Sequence, residues 1–468
     1  MYIASTYGSM GWDVVKINYL GDWGKHIGLL AAGWARFGSE ELFEADPIAH
    51  LLDVFTKVNG LFKLEQDDIK ALKAEDPNAA AAKEMEGVTG EKDAFFKKME
   101  DRDADALALW QRFRDVCIAG YTDLYSRLNI TFDEYSGESQ VTPDTIAEVE
   151  SVLKEKGVYH ESEGAWVIDL QSCGAKGGLG MAIARFRNGT TSYLLRDVAT
   201  VLERSRKHSF DKMVYVVSSR QDLHFQQLFA SLELMGHADL AGRLQHVSFG
   251  KAKGLAPMQD SSGLLLGHIL DRCQVAVGAA LEAEPDACEE FPKGDAEVSG
   301  ALAASVLMTQ ELVHRRSTAV NFETEKLKVT DAHTGLALQQ WYTALNRKLE
   351  GSVVDPNELG DGGACIAEKD EHVDVLRLLI QFPDIVKTSF RSLESPIILT
   401  YLFRLTDVLG TVWEDGDDGE VVDGESGVEE KEEGVDKHPD MGRLALFHCV
   451  RQVLENGMKM VGLVPLQV

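Results

Sequence analysis

Nowhere does the sequence run to eighteen uninterrupted apolar residues, and its start lacks the basic stretch and apolar core of a secretory leader. Both absences argue against a helical membrane anchor and lead to the expectation of a soluble, cytoplasmic protein. Cysteine is scarce. The six (Cys117, Cys173, Cys273, Cys288, Cys365 and Cys449) form no C-x-x-C pair and no Cys/His cluster at zinc spacing, so reduced thiols and no metal are expected. Positive charge is also in deficit, with 47 Lys and Arg against 76 Asp and Glu and a formal net charge of −29. A general nucleic-acid binder needs clustered cations, and composition shows none. The deficit is uneven: residues 414–440 hold thirteen acids against two lysines, a net of −11 that leaves −18 for the rest. This Gly-rich, apolar-poor segment reads as an acidic disordered surface loop.

What is present suffices for two or three cores: 468 residues, 44% of them hydrophobic. In "GWDVVKINYLGDWG" a β-branched run ends in a Gly-rich turn, as in a buried parallel strand and its loop. "DKMVYVVSS" (211–219), preceded by the helical stretch 196–208, is a second such strand, and "LQHVSFGK" (244–251) a third. Between the last two, "HFQQLFASLELMG" places Phe225, Leu228, Phe229 and Leu232 on one helix face. Strand, helix and strand in this order predict a parallel, Rossmann-like α/β sheet, with ligands beyond the carboxyl ends of its strands. Residues 60–190 read as a long connecting insertion. It is helical over 64–118, a solvated connection over 76–93, and strand-forming in "EGAWVIDLQS" and "GMAIARFRNGTTSYLLRD". After about residue 325 the period is helical, as in Leu446, Val450, Val453 and Leu454, which predicts an all-α bundle interrupted by the acidic loop.

Taken in order, "MGWDVVKINYLGDWGKHIG", "FFKKMEDRDADALALWQRFRDVCI", "FDEYSGES", "SYLLRDVATVLER", "FDKMVYVVSSRQDLHFQQLF", "LQHVSFG", "TYLFRLT" and "RLALFHCVRQVLENGMKMVGL" resemble arginyl-tRNA synthetases along almost the whole chain. The resemblance implies a class I catalytic body over 1–325, including the insertion, and a helical anticodon-binding-like domain over 326–468. His26-Ile27-Gly28 mimics three letters of the class I ATP signature His-Ile-Gly-His. In the family "NYLGDWG" follows that signature, so the match is read as coincidence and the true signature as preceding Met1. The family's second ATP loop, after "HVSFG", is altered as well. A loop that stabilises a transferring phosphate needs an aimed cation. Residues 255–267 have no Lys or Arg, although Lys251 and Lys253 lie just upstream.

By the same resemblance Tyr193 and Asp197 line an arginine side-chain pocket and Gln221 faces the amino-acid backbone. The chemistry is sound, since a carboxylate pairs bidentately with guanidinium and a tyrosine ring supports its plane. Left open is that Asp197 pairs with a nearby arginine and Tyr193 is core. His224 is a candidate general base or a structural hydrogen-bonding residue. Ser218 and Ser219 are nucleophile candidates without an identified activating base. Trp413 is placed beside the anticodon by the resemblance, and in core packing by its own context.

With both ATP elements read as lost, the chain is expected to use arginyl-tRNA made elsewhere. The expected function is that of a tRNA-dependent cyclodipeptide synthase, condensing arginyl-tRNA with a second aminoacyl-tRNA to a diketopiperazine in secondary metabolism. No cofactor and a monomer are expected. The alternatives are a truncated arginine–tRNA ligase and a non-catalytic tRNA- or arginine-binding protein.

Overall fold

The computed structural model describes residues 1–171, 178–250, 265–283, 291–319, 329–352, 370–413 and 438–467. Two parallel strand pairs carry the site. Strand β1 (Ile17–Leu20) pairs with β2 (Glu134–Gly137), with Ile17 opposite Glu134 and Leu20 opposite Gly137. A three-stranded antiparallel sheet follows: β3 (Tyr159–Ser162), β4 (Ala165–Asp169) and β5 (Met181–Arg185). The second parallel pair joins β6 (Met213–Ser218) to β7 (Leu244–Phe249). Helix Tyr193–His208 leads into β6, and helix Asp222–Leu234 connects β6 to β7. One core binds these elements, with Val149, Leu153, Ile168, Leu195, Val198, Leu228 and Leu232 all buried in it.

The stretch 60–190 begins inside the 29-residue helix Pro47–Glu75 and returns β2 to the parallel pairing with β1. It therefore supplies a strand beside the site as well as helices. Residues 76–93, expected as a solvated connection, are helical instead, in Pro77–Glu86 and the start of Val88–Glu100. Asp76-Pro77 is a helix start here: the Asp76 carboxylate accepts from the Asn78 and Ala79 N–H groups at 2.9 and 3.1 Å, and Pro77 takes the first turn. Of the strand expectation over 180–197, only Met181–Arg185 is strand. Ser192 then caps the next helix, accepting from the Leu195 N–H at 3.3 Å, so Tyr193 and Asp197 belong to the first turns of that helix.

The C-terminal region is helical as expected: Gly335–Lys348, Asp370–Ser392, Pro396–Trp413 and His438–Met460. Leu446, Val450 and Leu454 are buried with Leu402, Leu405 and Leu409, and Val453 packs partly buried against them. The N-terminal helix Tyr2–Ser9 joins this core, the Tyr2 hydroxyl meeting Ser389 Oγ at 2.5 Å. Nearly all of the acidic segment, 414–437, lies outside the described residues, and helix His438–Met460 begins before its expected end. Among the described residues no helix is long and apolar enough to cross a membrane.

Candidate functional site

A cleft of about 1680 Å³ is lined by Tyr19, Glu138, Tyr193, Asp197, Gln221 and His224, among others. Tyr193 and Asp197 stand four apart on one helix and share a face. The Asp197 side chain is 17% exposed and is held from both sides. Its Oδ1 accepts from the Tyr19 hydroxyl at 2.8 Å, and its Oδ2 accepts from His224 Nε2 at 2.7 Å. A carboxylate only accepts, so the shared imidazole proton sits on Nε2. Burial, and then the charges of Asp197 and Glu138, push the Tyr19 phenol well above its ordinary range, which keeps it a donor. Each carboxylate oxygen has a second lone pair. Each oxygen thus has one of its two acceptor positions filled by these contacts.

The open readings of these residues separate on geometry. Asp197 is held by Tyr19 and His224 and not by an arginine. Tyr193 is 53% exposed, with its ring centroid 4.6 Å from the His224 ring, and so forms a wall of the cleft. His224 is buried, engaged through Nε2, and among the described residues without a partner on Nδ1. Gln221 lies exposed in the short turn Ser219–Gln221 and borders the cleft. The Ser218 hydroxyl accepts from the Arg220 N–H at 3.5 Å, and no base engages it among the described residues. Trp413 sits away from this cleft, packed edge-on to Trp341 with centroids 5.4 Å apart, with the exposed Lys348 ammonium 4.5 Å above its ring. His26-Ile27-Gly28 opens helix Lys25–Phe37. A Cβ on Gly28 would lie 2.1 Å from the Lys92 carbonyl, so the glycine permits close helix contact. Residues 251–264 of the altered loop lie outside the described residues.

Sequence reasoning missed a second acidic group. Glu138, just beyond β2, receives Arg196 Nε at 2.8 Å and its terminal Nη2 at 2.6 Å. Arg196 Nη1 donates to the Thr191 carbonyl and hydroxyl at 2.7 and 2.8 Å. The only signal was "YSGES", whose glycine has a tertiary cause: a Cβ on Gly137 would fall 2.3 Å from the Asp22 carboxylate. Asp22 in turn accepts from Ser139 N–H and Oγ at 3.0 and 2.7 Å and from Arg114 Nε at 2.7 Å, tying this turn to the Gly-Asp-Trp-Gly loop.

Burial pushes the Glu138 carboxyl up to about 7, against the pull of Arg196 and with a push from Asp197. The folded chain therefore keeps a proton that the unfolded chain releases near 4.5. The resulting stability is fully present below that value and is lost as pH rises through 7. The thermal midpoint of the wild type, compared with Glu138→Gln across pH 5 to 8, is expected to fall with rising pH. A constant difference between the two would place Glu138 in the ordinary range.

Parallel strands crossed by helices, a carboxylate in the cleft beside them and an appended helical bundle are the features of this class. Residues 1–324 match the family described as tRNA synthetases class I (R), catalytic domain, and residues 345–468 match the DALR anticodon binding domain. The cytoplasmic arginine–tRNA ligase of Saccharomyces cerevisiae is 34% identical over 472 residues, covering 100% of this chain and 72% of the relative. The mitochondrial arginine–tRNA ligase of the same yeast is 32% identical over 99% of this chain and 67% of the relative. The crystal structure of the Thermus thermophilus arginyl-tRNA synthetase superposes with a TM-score of 0.70 at 16% identity, covering 100% of this chain and 78% of that one. The chain belongs to the class I arginyl-tRNA synthetase family, and its C-terminal region is an anticodon-binding, tRNA-recognising domain.

These relatives correct the functional expectation. Proteins 31–34% identical along essentially the whole chain carry the name arginine–tRNA ligase, some of them qualified as probable. The cyclodipeptide synthase reading rested on an ATP signature read as preceding Met1 and on an altered loop, and the match along the whole of this chain outweighs it. Nothing supports a second aminoacyl-tRNA as partner.

Proposed function

We propose that the chain acts as an arginine–tRNA ligase, with residues 1–325 as its catalytic body and 326–468 as its tRNA-binding domain. The observation that carries this reading is Asp197, a twice-anchored carboxylate at the cleft wall. Asp197 takes the guanidinium, Tyr193 covers the face of its plane, and Gln221 meets the α-amino or carboxyl end of the same molecule. His224 positions Asp197 through its Nε2 proton, and its remaining basic nitrogen, Nδ1, is buried. ATP enters as a substrate: the arginine carboxylate attacks its α-phosphate and releases pyrophosphate, and a tRNA hydroxyl then displaces AMP. Along the sequence, Lys251 and Lys253 are the cations closest to the loop, and they are the candidates for that phosphate chemistry. Trp413 frames the surface carrying Arg347 and Lys348, two exposed cations of the anticodon-binding region.

The test gives purified protein labelled arginine, tRNA and ATP and follows both arginyl-tRNA and pyrophosphate. Formation of the two together, dependent on arginine, supports the ligase. Arginine and tRNA binding without either product would make the chain a binding protein and overturn the reading.

A further inference from the structure

The Asp197 carboxylate is anchored by groups that are themselves anchored. Tyr19 comes from β1, far from Asp197 in sequence; its hydroxyl lies 2.8 Å from Oδ1 and 3.2 Å from Thr200 Oγ1. The Arg204 guanidinium sits 4.3 Å from the Tyr19 ring centroid and holds the ring plane. Arg204 is 8% exposed and reaches across to Ser136 Oγ of β2 at 3.3 Å. His224 approaches from the opposite side, on the helix that follows β6, at 6% exposure. Its ring is boxed by Phe225 and Tyr193, with centroids at 5.3 and 4.6 Å. Two rigid aromatic donors from separate strand–helix units thus pin the two oxygens of one carboxylate, which removes its freedom to turn about χ2.

We propose that Tyr19 and His224 are positioning residues whose clamp fixes the plane of the Asp197 carboxylate and thereby makes the pocket selective for a planar guanidinium over a lysine ammonium. The inference rests on the reading of Asp197 as the guanidinium acceptor. A guanidinium makes two parallel N–H···O bonds only when its plane and that of the carboxylate coincide, so orientation has a large effect on its binding. An ammonium is a point donor with three rotatable hydrogens, which a swivelling carboxylate serves equally well. Loss of the clamp therefore weakens arginine and leaves lysine nearly unchanged. The opposite effect, a more basic carboxylate once a donor is removed, would strengthen both cations together.

The experiment measures equilibrium binding of L-arginine by calorimetry, and of L-lysine by competition, on the purified full chain and its Tyr19→Phe, His224→Gln and His224→Leu variants. Tyr19→Phe removes one oxygen and keeps the ring under Arg204. The expected result is an arginine Kd raised about tenfold, the size of one lost hydrogen bond to a charged group, with the lysine Ki within about twofold. His224→Gln, which keeps an N–H donor near the same place, is expected to retain more of the arginine preference than His224→Leu. Unchanged arginine affinity in Tyr19→Phe overturns the clamp. A parallel loss for arginine and lysine with a lowered melting temperature shows a merely structural role and overturns it as well. The measurement needs neither ATP nor tRNA. Wild-type protein that binds arginine but forms no arginyl-tRNA removes the ligase reading while still testing the clamp. Wild-type protein that binds no arginine removes both.

Discussion

Asp197→Asn is expected to raise the arginine concentration needed for half-maximal charging by about a hundredfold or more, with a smaller loss of stability from the donor left unpaired. The change removes the one charge that balances the guanidinium at a site only 17% exposed. Truncating one side of such a desolvated, hydrogen-bonded charge pair costs roughly 2–5 kcal/mol, and tenfold corresponds to about 1.4 kcal/mol. Asparagine also fails to replace the acceptor pattern. Tyr19 and His224 both donate to Asp197, and an amide offers one oxygen and one further donor, so one of them loses its partner whichever way the amide faces. Steady-state charging with arginine varied at saturating tRNA and ATP reads the effect. An arginine KM within threefold of wild type would remove Asp197 from the pocket.

The second large effect is on stability. Arg196 is 4% exposed, and its guanidinium is spent on Glu138, Thr191 and, at 3.4 Å, the Trp23 carbonyl. Arg196→Met leaves the Glu138 carboxylate buried without its cation, a change worth about 3–5 kcal/mol. Glu138 can relieve the strain by taking a proton, because its carboxyl already sits near 7. The loss of stability in urea unfolding is therefore expected to be larger at pH 8 than at pH 6. The double variant Arg196→Met with Glu138→Gln is expected to recover part of it, as contacting residues are not additive. Equal losses at both pH values, with no recovery in the double variant, would mean that Arg196 acts through packing alone.

The parallel strands and the helices around them were legible because buried strands read as β-branched runs and helices as three-and-four spacing; "DKMVYVVSS" and Leu446-to-Leu454 are cases of each. Tyr193, Asp197 and Gln221, singled out through their family motif, all border one cleft. The errors came where a local signal had two meanings. Asp76-Pro77 carries turn chemistry and helix-cap chemistry alike, and the alanines that follow decide for the cap. Thr190-Thr191-Ser192 looked like a continuing strand, yet the Ser192 side chain starts a helix. His26-Ile27-Gly28 was not one of these errors: it was read as a coincidental match, and its glycine allows close approach of the Lys92 backbone.

Residue pattern determined the α/β body and the helical C-terminal region, and the family resemblance pointed to Asp197, because periodicity and motif are properties of neighbours along the chain. Only the tertiary structure decided what surrounds that group. Tyr19, Glu138 and His224 reach it or its neighbour Arg196 from sequence separations of 178, 58 and 27 residues. No local pattern records such a meeting. It exists because β1 pairs with β2 and the fold brings both against helix Tyr193–His208, which sets Tyr19 and His224 on one carboxylate and Glu138 on the neighbouring Arg196, where burial raises the Tyr19 and Glu138 pKa values.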